Sequence, residues 1–200
     1  GGFTRKMKNV GIICEYNPLH GGHKYLIERV RAMGAERIIC LMSGNSVQRG
    51  DFAIMPKSVR AETAILAGAD AVFELPFPYS SGSAEFFASA GVDILARLGV
   101  DTIAFGSESG DIKALRELAL KAEDYRPSDE KNIGTAAEYF AYLGELKSND
   151  ILGIEYLKAG KRLADGMEFV TVKREGAGYH EDAAAGAFPS ATEIRRAIIE

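Results

Sequence analysis

Short apolar runs alternate with amphipathic stretches along this chain, and that alternation limits its fold more than any other feature. Val10-Gly11-Ile12-Ile13-Cys14 reads as a buried strand. A turn over Glu15 to Gly22 follows, then a helix from His23 to Met33 that Gly34 stops. Arg37 to Met42 is a second strand, Ser43 to Met55 a polar loop, Pro56 to Ala67 a second helix and Ala71 to Leu75 a third strand. Pro76 and Pro78 keep that strand from continuing, because proline removes a ladder donor. Ser83 to Leu98 is a third helix, Thr102 to Phe105 a fourth strand and Asp111 to Ala122 a fourth helix. Glu123 to Asn132 reads as a polar linker or mobile loop. Helices over Thr135 to Leu146 and Ile151 to Lys161 follow, then a fifth strand over Phe169 to Lys173. A loop over Glu175 to Phe188 and a last helix over Ala191 to Ile199 end the pattern.

Strands and helices in alternation with short links imply an α/β fold: a Rossmann-like parallel sheet of about five strands with helices on both faces. Such sheets bind ligands beyond the carboxyl ends of their strands, at the switch point. Polar residues lie where that rule puts them, over Glu15 to His23, Ser43 to Asp51 and Gly106 to Asp111.

The 200 residues suit one domain at roughly 150 residues per domain. That domain is expected to run from 7 to 200, with residues 1 to 6 a tag remnant or frayed end. Apolar and charged fractions of 46% and 26% exclude a disordered chain. No apolar run reaches the roughly 18 residues of a membrane span, and no secretory leader is evident. A net charge of −4 excludes a general nucleic-acid coat, so RNA contact would need a local basic patch. Cys14 and Cys40 make no disulfide framework; they read as small buried hydrophobes in a reducing cytoplasm.

Two of the three histidines stand in His20-Gly21-Gly22-His23, between the first strand and the first helix. At that spacing both imidazoles can project to one side of a helix start, where unpaired N–H groups and the helix dipole favour an anion. The glycines let a phosphate approach the backbone. Two imidazoles there can donate hydrogen bonds to a phosphate as charge develops. The pattern is similar to the HxGH motif of class I nucleotidyltransferases. Other readings are two capping or loop histidines, or a zinc site from His20, His23 and His180 or Cys14.

Pro189-Ser190-Ala191-Thr192-Glu193-Ile194-Arg195 opens the last helix. Ser190 or Thr192 can cap it and offer N–H groups to a phosphate of ATP, and Arg195 adds charge there; the segment is similar to the ISSTxxR motif of the same superfamily. Arg49, Lys57 and Arg60 could hold phosphate or RNA, or form a solvated charged face. Arg174, after the fifth strand, is better placed to touch a nucleotide.

The stretches GIICEYNPLHGGHKYLIE, MSGNSVQRGDFAIMPKSVRAETAILAGADAVFELPFPYS, FGSESGDI, SNDILGIEYLKA, VKREGAGYH and SATEIR resemble, in order, the bacterial tRNA(Met) cytidine acetate ligase family, from about Met7 to Arg195. The resemblance implies activation of acetate by ATP as acetyl-adenylate, with release of pyrophosphate. Acetylation of N4 of the wobble cytidine of elongator tRNA(Met) would follow. It implies an ATP site over Ile13 to Leu26, including Ile13, Cys14, Glu15, Tyr16, Asn17, Pro18, Gly22 and both histidines, with Gly106, Asn149 and Arg174. His20 and His23 would stabilise charge at the α-phosphate, Gly106 would admit the nucleotide, and Asn149 would read adenine or ribose. Magnesium is expected to accompany ATP; no carboxylate cage for it stands out.

Gly21 departs from the asparagine typical of the family. The family also continues well past the last motif, which marks this chain as a catalytic-domain fragment or a short relative. Two other functions remain open: a small-molecule adenylyltransferase of the pantetheine-phosphate or nicotinate-mononucleotide type, with Arg49, Lys57 and Arg60 as its second anion site, and a nucleotide-binding module without catalysis.

Overall fold

The computed structural model describes residues 7–125, 136–144, 146–174 and 190–199. The loop expected over Glu175 to Phe188, with His180, and most of the expected linker lie outside them. Five strands, β1 (Asn9–Cys14), β2 (Arg37–Ser43), β3 (Ala71–Leu75), β4 (Thr102–Ser107) and β5 (Glu168–Lys173), form one sheet in the order β3-β2-β1-β4-β5. Every pairing is parallel. The helices are α1 (Gly21–Ala32), α2 (Lys57–Leu66), α3 (Ala84–Arg97), α4 (Ile112–Glu123), α5 (Ala136–Leu143), α6 (Ser148–Leu163) and α7 (Ala191–Ile199).

The two-residue strand period divides the core. Val10, Ile12 and Cys14 of β1, with Ile38, Cys40 and Met42 of β2, face Ile27 and Val30 of α1 and Ala64 of α2. Ile13, Leu41, Ile103, Phe105 and Phe169 face Phe87, Val92 and Leu95 of α3, Leu115 of α4, and Ile154 and Leu157 of α6. Burying each large apolar side chain contributes about 1.5–3 kcal/mol, so both layers are needed to hold the sheet.

Most boundaries shift from the sequence reading by a residue or more, and four of the shifts have a clear local reason. α1 starts at Gly21 rather than His23, because His20 is its N-cap. β4 runs through Gly106 and Ser107, which pair with Val172 and Lys173 of β5. α5 ends before Gly144, whose φ of +103° stops a helix. α6 begins at Ser148, not Ile151, because a carboxylate from the β4–α4 loop accepts the Asp150 N–H.

α6 lies close on the sheet because Gly153 and Gly160 face it. A Cβ at Gly153 would stand 2.5 Å from Cε2 of Phe105, and one at Gly160 would strike the Phe169 ring. Helix propensity favours Gly153→Ala by about 1 kcal/mol, whereas overpacking a core costs about 1–3 kcal/mol. The Phe105 ring is buried and abuts Tyr156 at a centroid distance of 5.7 Å, so it has little room to yield. Gly153→Ala is expected to lose about 1–2 kcal/mol in urea unfolding; a variant as stable as the parent would contradict this packing.

Candidate functional site

β1 and β4 are paired only at Val10–Thr102 and Gly11–Ile103. The chain leaving β1 goes to β2 on one side, and the chain leaving β4 goes to β5 on the other, so the strand order reverses between β1 and β4, which is the switch point of the fold. The segments after β1 and β4 and Arg174 after β5 carry many of the predicted site residues; Arg49, Lys57 and Arg60 follow β2, and Asn149 lies on α6.

His20 and His23 cap α1 reciprocally. The Gly22 N–H donates to Nδ1 of His20 at 3.1 Å, and the His20 N–H donates to Nδ1 of His23 at 3.3 Å. The arrangement is a capping box with imidazoles in place of the usual hydroxyl and carboxylate. A neutral imidazole that accepts at Nδ1 carries its proton on Nε2. Each ring therefore offers an Nε2–H to a ligand. The rings lie 3.8 Å apart and tilted by 30°. Gly22 has a reason beyond phosphate access: a Cβ there would meet Cε1 of His20 at 3.0 Å.

Both histidines are held neutral. Burial, then the positive charge of Arg174, lowers the pKa of His20 below its ordinary 6.5. Burial, then His20 and Arg174, lowers that of His23 to about 3. Arg174 is thus brought beside the pair. Its N–H donates to the Ser107 carbonyl at 2.8 Å. Its aliphatic stem passes over Gly106, where a Cβ would lie 3.2 Å from Cγ of Arg174. Gly106 therefore makes room for Arg174, inside the strand rather than in a loop after it.

The segment between β1 and α1 is pinned from several sides. Tyr16 has a left-handed backbone, φ 48°, uncommon for a non-glycine residue. Its buried ring lies 5.0 Å from that of His23, and its hydroxyl is 3.5 Å from Sγ of Cys40. Oδ1 of the buried Asn17 accepts the Ile54 N–H at 2.9 Å, and Oε1 of Glu15 accepts the Gln48 N–H at 2.8 Å. Pro18 is buried after a cis peptide bond. Ile13 and Cys14 turn into the two core layers. Both cysteines are free and buried, and burial pushes the Cys14 thiol well up, so they are small core residues as expected.

α7 reaches this segment from the other end of the chain. Nη1 of Arg195 donates to the Asn17 carbonyl at 2.7 Å, and Nη2 donates to Oγ1 of Thr192 at 3.0 Å. Ser190 is the residue that caps: its Oγ accepts the Glu193 N–H at 3.2 Å, and the Glu193 carboxylate accepts the Ser190 N–H at 2.6 Å. Thr192 holds Arg195 instead.

Arg60 does not face a ligand. It is fully buried. Its guanidinium donates to the carbonyls of Met55 at 3.1 Å, Glu15 at 2.5 Å and Ser43 at 3.1 Å, and to that of Gly44. It ties the carboxyl ends of β1 and β2 to the segment before α2, and a buried guanidinium with its donors engaged cannot also grip phosphate. Lys57 pairs with Glu74 at 2.6 Å on the surface. Arg49 lies on a 3-10 turn over Gln48–Gly50. The second anion site of a small-molecule adenylyltransferase therefore loses its buried member.

Asn149 opens α6 and donates from Nδ2 to Oε1 of Glu108 at 2.6 Å. Glu108 and Asp150 were invisible as site residues in the sequence, since their partners lie about forty positions away and no local spacing marks them. Among the described residues no three His, Cys, Asp or Glu side chains converge as metal ligands.

Unfolded, His23 takes a proton near its ordinary 6.5; folded, only near 3. Between those values the unfolded chain binds the extra proton, so stability falls as pH falls through that window. From pH 6.5 to 5 this contributes a loss of about 1–2 kcal/mol. His23→Gln should show a correspondingly flatter decline in urea unfolding over that range; parallel declines would contradict the buried, neutral ring.

The family described as HIGH Nucleotidyl Transferase matches residues 7–200. A protein of Caldicellulosiruptor bescii named tRNA(Met) cytidine acetate ligase is 42% identical over 209 residues, covering 96% of this chain and 52% of that one. One of the same name from Caldanaerobacter subterraneus subsp. tengcongensis is 43% identical over 216 residues, covering 97% and 54%. The crystal structure of Thermotoga maritima TmcAL bound with alpha-thio ATP superposes with a TM-score of 0.76 at 33% identity, covering 96% of this chain and 50% of that one. The chain spans about half the length of the curated relatives it matches. With the paired histidines at the head of α1, the parallel sheet and a match over residues 7–200, this chain belongs to the HIGH nucleotidyl transferase family.

Proposed function

We propose that this chain activates acetate with ATP as acetyl-adenylate and passes the acetyl group to N4 of the wobble cytidine of elongator tRNA(Met), in the cytoplasm. The observation that carries the reading is the gathering of His20, His23 and Arg174 at the N-terminus of α1, at the switch point of a parallel sheet. The relatives named tRNA(Met) cytidine acetate ligase support acetate and tRNA(Met) as substrates, and the alpha-thio ATP in the structural neighbour supports ATP.

In the first step a carboxylate oxygen of acetate bonds to the α-phosphorus. The bond from that phosphorus to the oxygen bridging the β-phosphate breaks, and pyrophosphate leaves with the electron pair. Charge grows on the phosphate oxygens. The Nε2–H groups of His20 and His23, the first N–H groups of α1 and the Arg174 guanidinium are donors for it. Neutral imidazoles suit this task, because they donate without holding a full charge beside Arg174 before the substrate arrives. In the second step the N4 amine attacks the acetyl carbonyl carbon, AMP leaves with the C–O electrons, and the amine loses its proton. Magnesium would enter with the triphosphate, held by phosphate oxygens and water. Arg49 and Lys57, the latter paired with Glu74, are the remaining candidates after β2 for contact with tRNA or phosphate.

The test is exchange of labelled pyrophosphate into ATP with magnesium, with and without acetate, and with and without tRNA. Acetate-dependent exchange is expected. His20→Ala should slow it by about 10²–10³-fold while weakening ATP binding far less, because the donor matters most in the transition state. Exchange that ignores acetate, or none at all, would contradict the proposal. Turnover with a phosphate acceptor would point to a small-molecule adenylyltransferase, and tight ATP binding without turnover to a non-catalytic module.

A further inference from the structure

Two carboxylates are crossed between the loop after β4 and the head of α6. Oε1 of Glu108 accepts from Nδ2 of Asn149 at 2.6 Å, and Oε2 accepts the Asp150 N–H at 3.1 Å. In return, Oδ1 of the buried Asp150 accepts the Glu108 N–H at 3.1 Å, the Ser109 N–H at 3.3 Å and the Ser109 hydroxyl at 3.1 Å. Ser107 secures the same loop, accepting the Gly110 N–H at 2.9 Å and contacting Oγ1 of Thr171 at 2.8 Å. The Ser107 carbonyl holds the Arg174 N–H. Asn149 is therefore tied by the β4–α4 loop to the sheet edge that carries Arg174.

A carboxylate has no proton to give at neutral pH, so the amide atom facing Glu108 must be the NH2 group. Glu108 cannot swing away without abandoning the Asp150 N–H. The Asn149 amide is thus denied its usual freedom to turn over, and Oδ1 is fixed on the edge away from Glu108. We propose that Glu108 is a positioning residue that fixes the polarity of Asn149, making its carbonyl oxygen an acceptor for a donor group of the bound nucleoside. This inference rests on the ATP-binding reading above. The donor is the 6-amino group of adenine or a ribose hydroxyl, both of which give a hydrogen bond where their close analogues cannot.

Calorimetric binding of ATP, ITP and 2′-deoxy-ATP to the parent chain, E108Q and N149A tests this. The parent is expected to reject one analogue by about 10-fold or more, since a site built around a donor leaves its acceptor unpaired without it. Rejection of ITP identifies the amino group; rejection of 2′-deoxy-ATP identifies the hydroxyl. In E108Q the new amide still accepts the Asp150 N–H but can also donate to Asn149, which lets that side chain turn over. The thermal midpoint should hold within a few degrees, while discrimination falls to within about 3-fold. N149A should lose the same discrimination, and the double variant should lose no more than N149A alone. A merely structural Glu108 would weaken all three nucleotides equally. Parent-like discrimination in E108Q or in N149A would overturn the inference. If the parent binds ATP but rejects neither analogue, the inference falls and the ATP reading stands; if the parent binds no ATP, both fall.

Discussion

β1 is bonded to β2 at all six of its residues but to β4 only at Val10 and Gly11. β4 in turn follows β5 to its last residue, where Ser107 pairs with Lys173. The sheet therefore stays closed on either side of the switch point and opens along it toward the carboxyl ends. Two loops and the end of β5 converge on that opening because the strand order reverses there. The first carries His20 and His23, the second Glu108, and β5 delivers Arg174. None of these residues is near another in sequence except the histidines. Arg60 holds the floor of the arrangement by tying the ends of β1 and β2 together through backbone carbonyls.

The head of α1 shows how one interaction serves fold and chemistry together. A serine or aspartate would cap the helix as well as His20 does. An imidazole can spend Nδ1 on the cap and still present Nε2–H. The second histidine closes the cap from the other side with the same choice of nitrogen. Burial and Arg174 then disfavour protonation of both rings. The outcome is a pair of neutral donors of fixed tautomer beside a fixed positive charge, at a helix end that already favours anions. Preorganised donors of this sort need little rearrangement when charge develops.

Much of this was legible in the sequence because it is written in local patterns. Apolar runs marked all five strands, and the limits of β3 and α7 agree with the structure to the residue. His-Gly-Gly-His after a strand marked the head of α1, and Ser190 marked the cap of α7, whereas Arg195, read as a phosphate partner, donates to the Asn17 carbonyl and to Thr192. What escaped notice depends on contacts between distant residues. Arg60 reads as a surface cation on a charged helix, yet the carbonyls at the ends of two strands draw it inside. Glu108 and Asp150 read as ordinary loop and helix acids until the fold crosses them. Gly106 suggests room for a ligand, whereas the nearest occupant of that room is the stem of Arg174. Capping histidines are one reading of His-Gly-Gly-His in the sequence; that a single ring caps through Nδ1 and still offers Nε2–H emerges only from the fold.

Everything at the head of α1 turns on His20 and His23 being neutral with their protons on Nε2. Long-range proton–nitrogen NMR correlations of the imidazoles report this directly, and with only three histidines in the chain two single substitutions suffice for assignment. At pH 7 both rings should show an unprotonated Nδ1 and a protonated Nε2, and added ATP should shift the Nε2 resonances most. A protonated Nδ1 on either ring, or an imidazolium pattern, would contradict the account.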